Sequence, residues 1–404
     1  MTEPTAPPFD PEVPLPGLAD PVGGSGMPPL RDGPPWAMTD MMAAEPALAE
    51  RLLTRLADPD GAAAALADRI DQVARRGEPI RFVGCGTSEH GAMASALILE
   101  AALARTGSDA PVVSVQAFEA SLAPRSGGLV IGVSHEGGTA ATNAALAAAR
   151  SAGAETAIVT VSDRSPGAGQ ADIVVATDEA DQSWCHTVGY LSPILAAVAV
   201  AGHLTGQRPD PAAVRSTLAA GLDQPAVAEA IAARLADATT ILTVASGADR
   251  PAGRELALKI EEATWLPTTM RELETLLHGH MPSTGPSTGL VLILADDDHL
   301  EARAARAAQA LDAASVLGLR TAAILSAPAA TALDAAAGAG EGAPTPAGRL
   351  VAHRPRVEGP GAALLASATP LQLLTERLAR ARGTNPDPIR RQDDRYREAS
   401  ERHH

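Results

Sequence analysis

Residues 80–104 read IRFVGCGTSEHGAMASALILEAALA. The opening IRFVGCG is a continuous apolar run that ends in glycines, as expected of a strand buried on both faces of a parallel sheet. From His90 to Ala104 the chain is rich in alanine and leucine and lacks proline, which predicts a helix long enough to cover such a sheet. Strand, glycine turn and covering helix are the repeating unit of a parallel α/β layer.

Working outward, the unit recurs. PVVSVQAF (111–118), GLVIGVS (128–134), AETAIVTVS (154–162) and ADIVVAT (171–177) read as further buried strands, with TNAALAAARSAG (142–153) as a helix between two of them. The pattern then restarts with TTILTVASG (239–247), a helix through ELALKIEEA, LVLILAD (290–296), RTAAILS (320–326) and RLVAH (349–353), and closes with a helix over 361–382. Two α/β halves of similar length suggest duplication. The expected organisation is a Pro/Gly-rich arm over 1–37, a first domain over 38–210, a second over 211–384 and a tail over 385–404, with GQRPD (206–210) as the interruption.

Composition excludes several classes. A formal charge of −16 opposes binding of nucleic acid, which requires a basic face. Cys85 and Cys185 do not form a disulfide framework, so the cytoplasm is the expected compartment. The longest apolar run, ILAAVAVAGHL (194–204), falls short of the ~20 residues that span a bilayer, so no membrane role is expected. The arm over 1–37 lacks the basic and apolar regions of a signal peptide and reads as disordered.

In open parallel sheets, ligands sit beyond the carboxyl ends of the strands. Two turns there carry hydroxyls and glycines, GCGTSEHG (84–91) with Gly86, Thr87 and Ser88, and SHEGGTAAT (134–142) with Ser134, His135, Glu136 and Thr139. One such turn is common where nothing binds, but the pair is a stronger sign of a site. Lys259 is the sole lysine among 32 Lys plus Arg, and Glu262 lies three residues on, so both project from one helical face. An ordinary surface ion pair there would work equally well with arginine, which the chain uses everywhere else.

These segments carry a resemblance. GCGTS, the S-x-x-G-x-T loop, ALKIEEATWLPTTMRELETLLHGH (257–280) and TPLQLLTERLARARGTNPDP (369–388) resemble the sugar isomerase (SIS) domain family, over about residues 38–390. The branch in question holds the double-SIS isomerase half of glucosamine-6-phosphate synthase, ketosamine-phosphate deglycases and amino-sugar deaminases. It implies two tandem SIS domains, each a parallel sheet sandwiched by helices in flavodoxin-like layers. It also implies that Ser88, Ser134 and Thr139 hold the sugar phosphate, that Glu262 shuttles a proton between C1 and C2 with Lys259 beside it in the sugar pocket, and that His278 opens the ring across a dimer.

The departures matter as much. The first 37 residues contain no cysteine nucleophile, so glutamine-dependent amination by this chain is not expected, and no lysine follows Lys259. Where the family commonly has S-Q-S-G-E-T, this chain places His135 and Glu136, and DQSWCHTVGY (181–190) contributes His186 where the family often has a lysine. His135, Glu136 and His186 suit a transition metal by ligand type, yet they come from separate loops, so no metal and no organic cofactor is expected. The reading is a homodimeric enzyme acting on an amino sugar or ketosamine by aldose-ketose proton transfer, with or without amine release. The alternatives are a simple aldose-ketose isomerase and a non-catalytic sugar-binding regulator.

Overall fold

The computed structural model describes residues 9–18, 30–31, 33–338, 346 and 348–402. Residues 1–8, 19–29 and 32, most of the arm expected to lack order, lie outside the described residues. The part of the arm that is described does not float free. Leu15 is buried, its N–H donates to Glu179 Oε2 at 2.8 Å, and Pro16 O accepts from the Ala180 N–H. Arg51 ties the strip down by donating to both Glu12 O and the Glu179 carboxylate. A proline-rich composition prevents helix and ladder, but an extended segment with one apolar anchor and paired backbone groups still docks.

The first sheet is wholly parallel, with strands β1 (Ile80–Gly84), β2 (Val112–Gln116), β3 (Leu129–Val133), β4 (Glu155–Thr160) and β5 (Ile173–Ala176) in the order β2-β1-β3-β4-β5. The second holds β6 (Thr240–Val244), β7 (Thr268–Arg271), β8 (Thr288–Leu294), β9 (Arg320–Leu325) and β10 (Arg349–Val351) in the order β10-β9-β8-β6-β7, also parallel. Read from the other edge, that is the first order again with every strand shifted by five. The chain is two copies of one topology, each with its switch point between its first and third strands. The nine strands expected from sequence all form. The tenth, β7, escapes a periodicity reading because TTMR is short, polar and half-buried along its whole length.

The helices of the first half are α1 (Ala37–Leu56), α2 (Ala62–Arg75), α3 (Thr87–Arg105), α4 (Ala117–Leu122), α5 (Ala140–Ser151) and α6 (Val188–Thr205). Those of the second are α7 (Pro211–Leu222), α8 (Pro225–Leu235), α9 (Arg250–Thr264), the single turn α10 (Leu273–Thr275), α11 (Leu300–Val316), α12 (Ala327–Ala337), α13 (Pro360–Arg382) and α14 (Asp394–Glu401). The two halves share a helical middle layer. α13 packs on α7, α8, α9 and α3, and α1 packs on both α6 and α7. Leu364, Leu365, Leu371 and Leu374 of α13 are all at 0% exposure, each burial stabilising by about 1.5–3 kcal/mol. α6 is long and apolar enough to cross a membrane, with mean hydropathy 1.5, yet 78% of it is buried within the fold. It serves here as a core helix.

Candidate active site

The site forms where α9 of the second half lies against the carboxyl edge of the first sheet. The β1-to-α3 turn is sharp. Gly86 holds φ +57° and ψ −130°, a region of the backbone map that glycine reaches without strain, and Leu258 of α9 lies 4.0 Å from where a Cβ would sit. Directly after it, the Thr87 hydroxyl donates to Glu255 Oε1 at 3.3 Å and the Glu255 Oε2 to His90 Nδ1 separation is 2.7 Å. Thr87 and His90 therefore bind α9 to α3 through one buried carboxylate. Ser88 stays half-buried.

On α9, Lys259 is at 0% exposure, with its ammonium 2.5 Å from Glu262 Oε2 and 3.6 Å from Glu255 Oε1. Glu255 is one turn before Lys259 and Glu262 just under one turn after, so three charged side chains share one face of the helix. Burial works against the charge on Lys259, but Glu262 and then Glu255 overcome it and hold the ammonium well above the ordinary lysine range. Burial likewise opposes ionisation of Glu255, and Lys259, with help from His90, more than offsets it, leaving that carboxyl below its ordinary value. Glu262 keeps a side-chain exposure of 20%. The ammonium is thus sealed inside while the carboxylate it holds faces outward. Lys259 contacts two carboxylates, Glu255 and Glu262.

The β3-to-α5 turn contributes Ser134, buried, whose hydroxyl donates to Thr139 Oγ1 at 3.4 Å. Thr139 is exposed at the start of α5, and Glu136 is half-buried. The imidazole of His135 accepts the Asp181 N–H at Nε2, 2.9 Å away. Its ring lies 5.3 Å from that of His186. Burial, and next the neighbouring His186, push His135 down to about 4. Among the described residues no three His, Cys, Asp or Glu side chains are arranged to hold a metal ion, and the hydrogen bond at Nε2 commits the lone pair that His135 would offer one. Both cysteines are free. Cys185 is buried beside Lys259, and burial raises its thiol well above the ordinary range.

The tail closes over this region. Asp387, at 0% exposure, accepts the Ala37 and Met38 N–H groups at 2.8 Å each, capping α1, and its carbonyl accepts the Trp184 N–H. The Arg391 guanidinium stacks on Trp184 at 4.7 Å, and Arg390 stacks on both Trp265 and Tyr396. Trp265 itself ends α9 in the left-handed region.

His278 stands apart from this constellation. It follows β7 at the carboxyl end of the second sheet, whereas Glu262 lies in the last turn of α9, before that strand begins. Its side chain is 68% exposed and pairs with Glu274 at 2.9 Å. Within one chain, Thr87 is tied through Glu255 to Lys259 and Glu262, and the turn that carries Ser134, His135, Glu136 and Thr139 meets His186 through the His135 ring, whereas His278 pairs with Glu274. Sequence reasoning missed Glu255, Asp181 and His90. Glu255 was findable, being four residues before the sole lysine on the same helix; nothing in the sequence singles out Asp181.

Comparison with known proteins bears on the fold. Residues 75–204 match the family model of the SIS domain. No curated protein sequence matches the chain. Among solved structures, the C-terminal domain of glucosamine-fructose-6-phosphate aminotransferase from Francisella tularensis is similar at a TM-score of 0.73 and 17% identity, over 89% of this chain and 99% of that one. Tagatose-6-phosphate ketose/aldose isomerase from Escherichia coli gives 0.68 and 16%, over 89% and 97%. Glucosamine-6-phosphate deaminase from Thermotoga maritima gives 0.56 and 15%, over 84% and 96%. With a matched SIS domain at 75–204 and a second sheet of the same strand order, the chain has the fold of two tandem SIS domains.

Proposed function

We propose that the protein is a sugar isomerase-type enzyme that acts on an amino sugar or ketosamine by aldose-ketose proton transfer, with or without release of the amine. The observation that carries this reading is the Lys259–Glu262 pair: an ammonium at 0% exposure held 2.5 Å from a carboxylate whose side chain keeps 20% exposure. In this reading the Glu262 carboxylate would take a proton from carbon. Glu262 would remove the proton at C2 or C1 of the open-chain sugar and return it to the neighbouring carbon, with an enediol between. Gly86, Thr87, Ser88, Ser134 and Thr139 would receive the substrate's oxygens at the carboxyl ends of β1 and β3.

The three similar structures are named for hexose 6-phosphates or amino sugars, which supports the substrate class. The loop after β3 argues for a difference in charge. Turned into the site and not offset by another group, a carboxylate at Glu136 4 Å from each negative charge of a phosphate would oppose it by about 4 kcal/mol per charge at an effective dielectric near 20; turned away or offset, it would not. Two or three hydroxyl hydrogen bonds at about 1 kcal/mol each do not recover that. The preferred substrate in this reading is an unphosphorylated or cationic sugar derivative. The protein would work as a cytoplasmic homodimer, and the exposed His278 would serve the partner's site in ring opening.

The test is to incubate the protein in deuterated water with fructose, glucosamine and their 6-phosphates, and to follow deuterium at C1 and C2 by NMR, alongside the molecular mass in solution. Deuterium incorporation by a dimer is the expected result. No incorporation into any of the four sugars would remove the isomerase reading.

A further inference from the structure

The loop over 181–187 and the start of α6 carry a second arrangement that the family motifs do not describe. Asp181 is buried at 4% exposure and its carboxylate accepts three backbone N–H groups, from Ser183 at 3.1 Å, Thr187 at 2.7 Å and Gly189 at 3.3 Å. A carboxylate held in this way is fixed and ionised. His186 Nδ1, buried and without a hydrogen bond among the described residues, faces Asp181 Oδ2 at 3.7 Å. Its side chain as a whole keeps 24% exposure, so with Nδ1 buried the exposed part of the ring lies away from Asp181.

Two further features fix which imidazole carries a proton. His135 accepts the Asp181 N–H at Nε2, so that nitrogen holds no proton and the ring is the neutral Nδ1–H tautomer. Two cations 5.3 Å apart would repel, so a neutral His135 leaves His186 as the one to charge. Gly189 makes the packing possible. A Cβ there would meet His186 Cβ at 3.1 Å and His135 Cγ at 3.4 Å.

We infer that His186, positioned by Asp181, is the acid-base group that serves the substrate oxygens while Glu262 serves the carbons. The inference rests on the isomerase reading above. In the forward step the Glu262 carboxylate takes the proton from C2, the C–H electron pair becomes the C1=C2 bond, and the carbonyl π pair moves onto O1, which takes the Nε2 proton of the His186 imidazolium. In the second step neutral His186 takes the O2 proton as the C2 carbonyl forms, and Glu262 returns its proton to C1. Atoms and charges balance, and both residues return to their starting states.

The groups that act on His186 are Asp181 on its own loop, His135 after β3, and Lys259 and Glu262 on α9. Asp181 in turn feels Glu45 of α1, which is at 0% exposure and hydrogen-bonded to Gln372 of α13. Burial disfavours charge on His186, but Asp181 outweighs it and the net displacement is upward, the direction a general acid needs near neutral pH.

The experiment combines titration with turnover on the full-length protein. Side-chain histidine NMR of the parent should show His186 titrating above the ordinary value near 6.5 and His135 neutral as the Nδ1–H tautomer down to about pH 4. Asp181→Asn should move the His186 titration to lower pH, and should move the alkaline limb of the kcat profile by the same amount, because that limb reports loss of the imidazolium. His186→Asn leaves Asp181 and its three donors in place, and should lower kcat on the order of 10²-fold while sugar binding by calorimetry changes little. An unmoved titration in Asp181→Asn, or parental kcat in His186→Asn, would overturn the inference with the isomerase reading intact. A parent that incorporates no deuterium from any of the four sugars would instead overturn the isomerase reading and this role with it.

Discussion

Replacing Lys259 with methionine removes one charge from a place where water cannot substitute for it. Glu255 has a side-chain exposure of 1% and sits 3.6 Å from the ammonium, a Coulomb interaction of about 4–5 kcal/mol at an effective dielectric near 20. In Lys259→Met that carboxylate keeps the Thr87 hydroxyl and His90. Removing one partner of a buried pair typically destabilises by about 3–5 kcal/mol, so a loss near 3 kcal/mol at pH 7 is expected. The sign with pH follows from the two displacements. The lowered Glu255 contributes stability that is fully present above the ordinary carboxylate range and is lost as pH falls from there through its lowered folded value, and the raised Lys259 contributes throughout the range below ordinary lysine titration. Parent and variant should therefore differ clearly near neutral pH and converge only once pH falls below the ordinary carboxylate range. Equilibrium urea unfolding at neutral pH and in acid below that range measures both. Equal midpoints at neutral pH, or a gap that persists unchanged in that acid, would refute the assignment of Lys259 as counterion to two carboxylates.

Further outcomes follow from the same geometry. Lys259→Arg keeps the charge but adds volume where exposure is 0%, and should lower kcat/KM at least about tenfold, equal to ~1.4 kcal/mol; parental activity would make the sole lysine a coincidence. Gly189→Ala should displace the His135 and His186 rings that its Cβ would approach at 3.1–3.4 Å, visible as shifted histidine resonances in a protein that remains folded. Asp387→Ala uncaps α1 and releases the tail over the site, at about 1–2 kcal/mol of stability, and limited proteolysis should then cut between 385 and 402 faster than in the parent. Glu136→Ser should raise affinity for fructose 6-phosphate and glucosamine 6-phosphate by calorimetry while leaving the unphosphorylated sugars unchanged.

The fold was legible because buried parallel strands such as LVIGV (129–133) are apolar throughout and are punctuated by glycine. β7 was not, because an edge strand of four half-buried residues has no periodicity to read. The Lys259–Glu262 pair was visible as a spacing of three on one helix, and Glu255 was equally visible four residues before it. The burial of Lys259 was not, since it depends on how α13, α3 and the 181–187 loop pack over α9. Asp181 and His186 are five residues apart in an irregular loop, and their juxtaposition depends on backbone N–H groups that carry no side-chain signature. The docking of residues 9–18 was hidden by a composition that describes what the segment cannot form by itself rather than what it can pack against.

The most direct test is the hydrogen exchange of Glu262→Gln. The variant keeps the shape of the side chain and loses only the capacity to accept a proton from carbon. With fructose, glucosamine and their 6-phosphates in deuterated water, the parent should place deuterium at C1 or C2 of its substrate, and Glu262→Gln should bind that sugar with little change and exchange on the order of 10²-fold more slowly or less. Exchange at the parental rate in the folded variant would contradict the central claim and leave Lys259 and Glu262 as a structural ion pair.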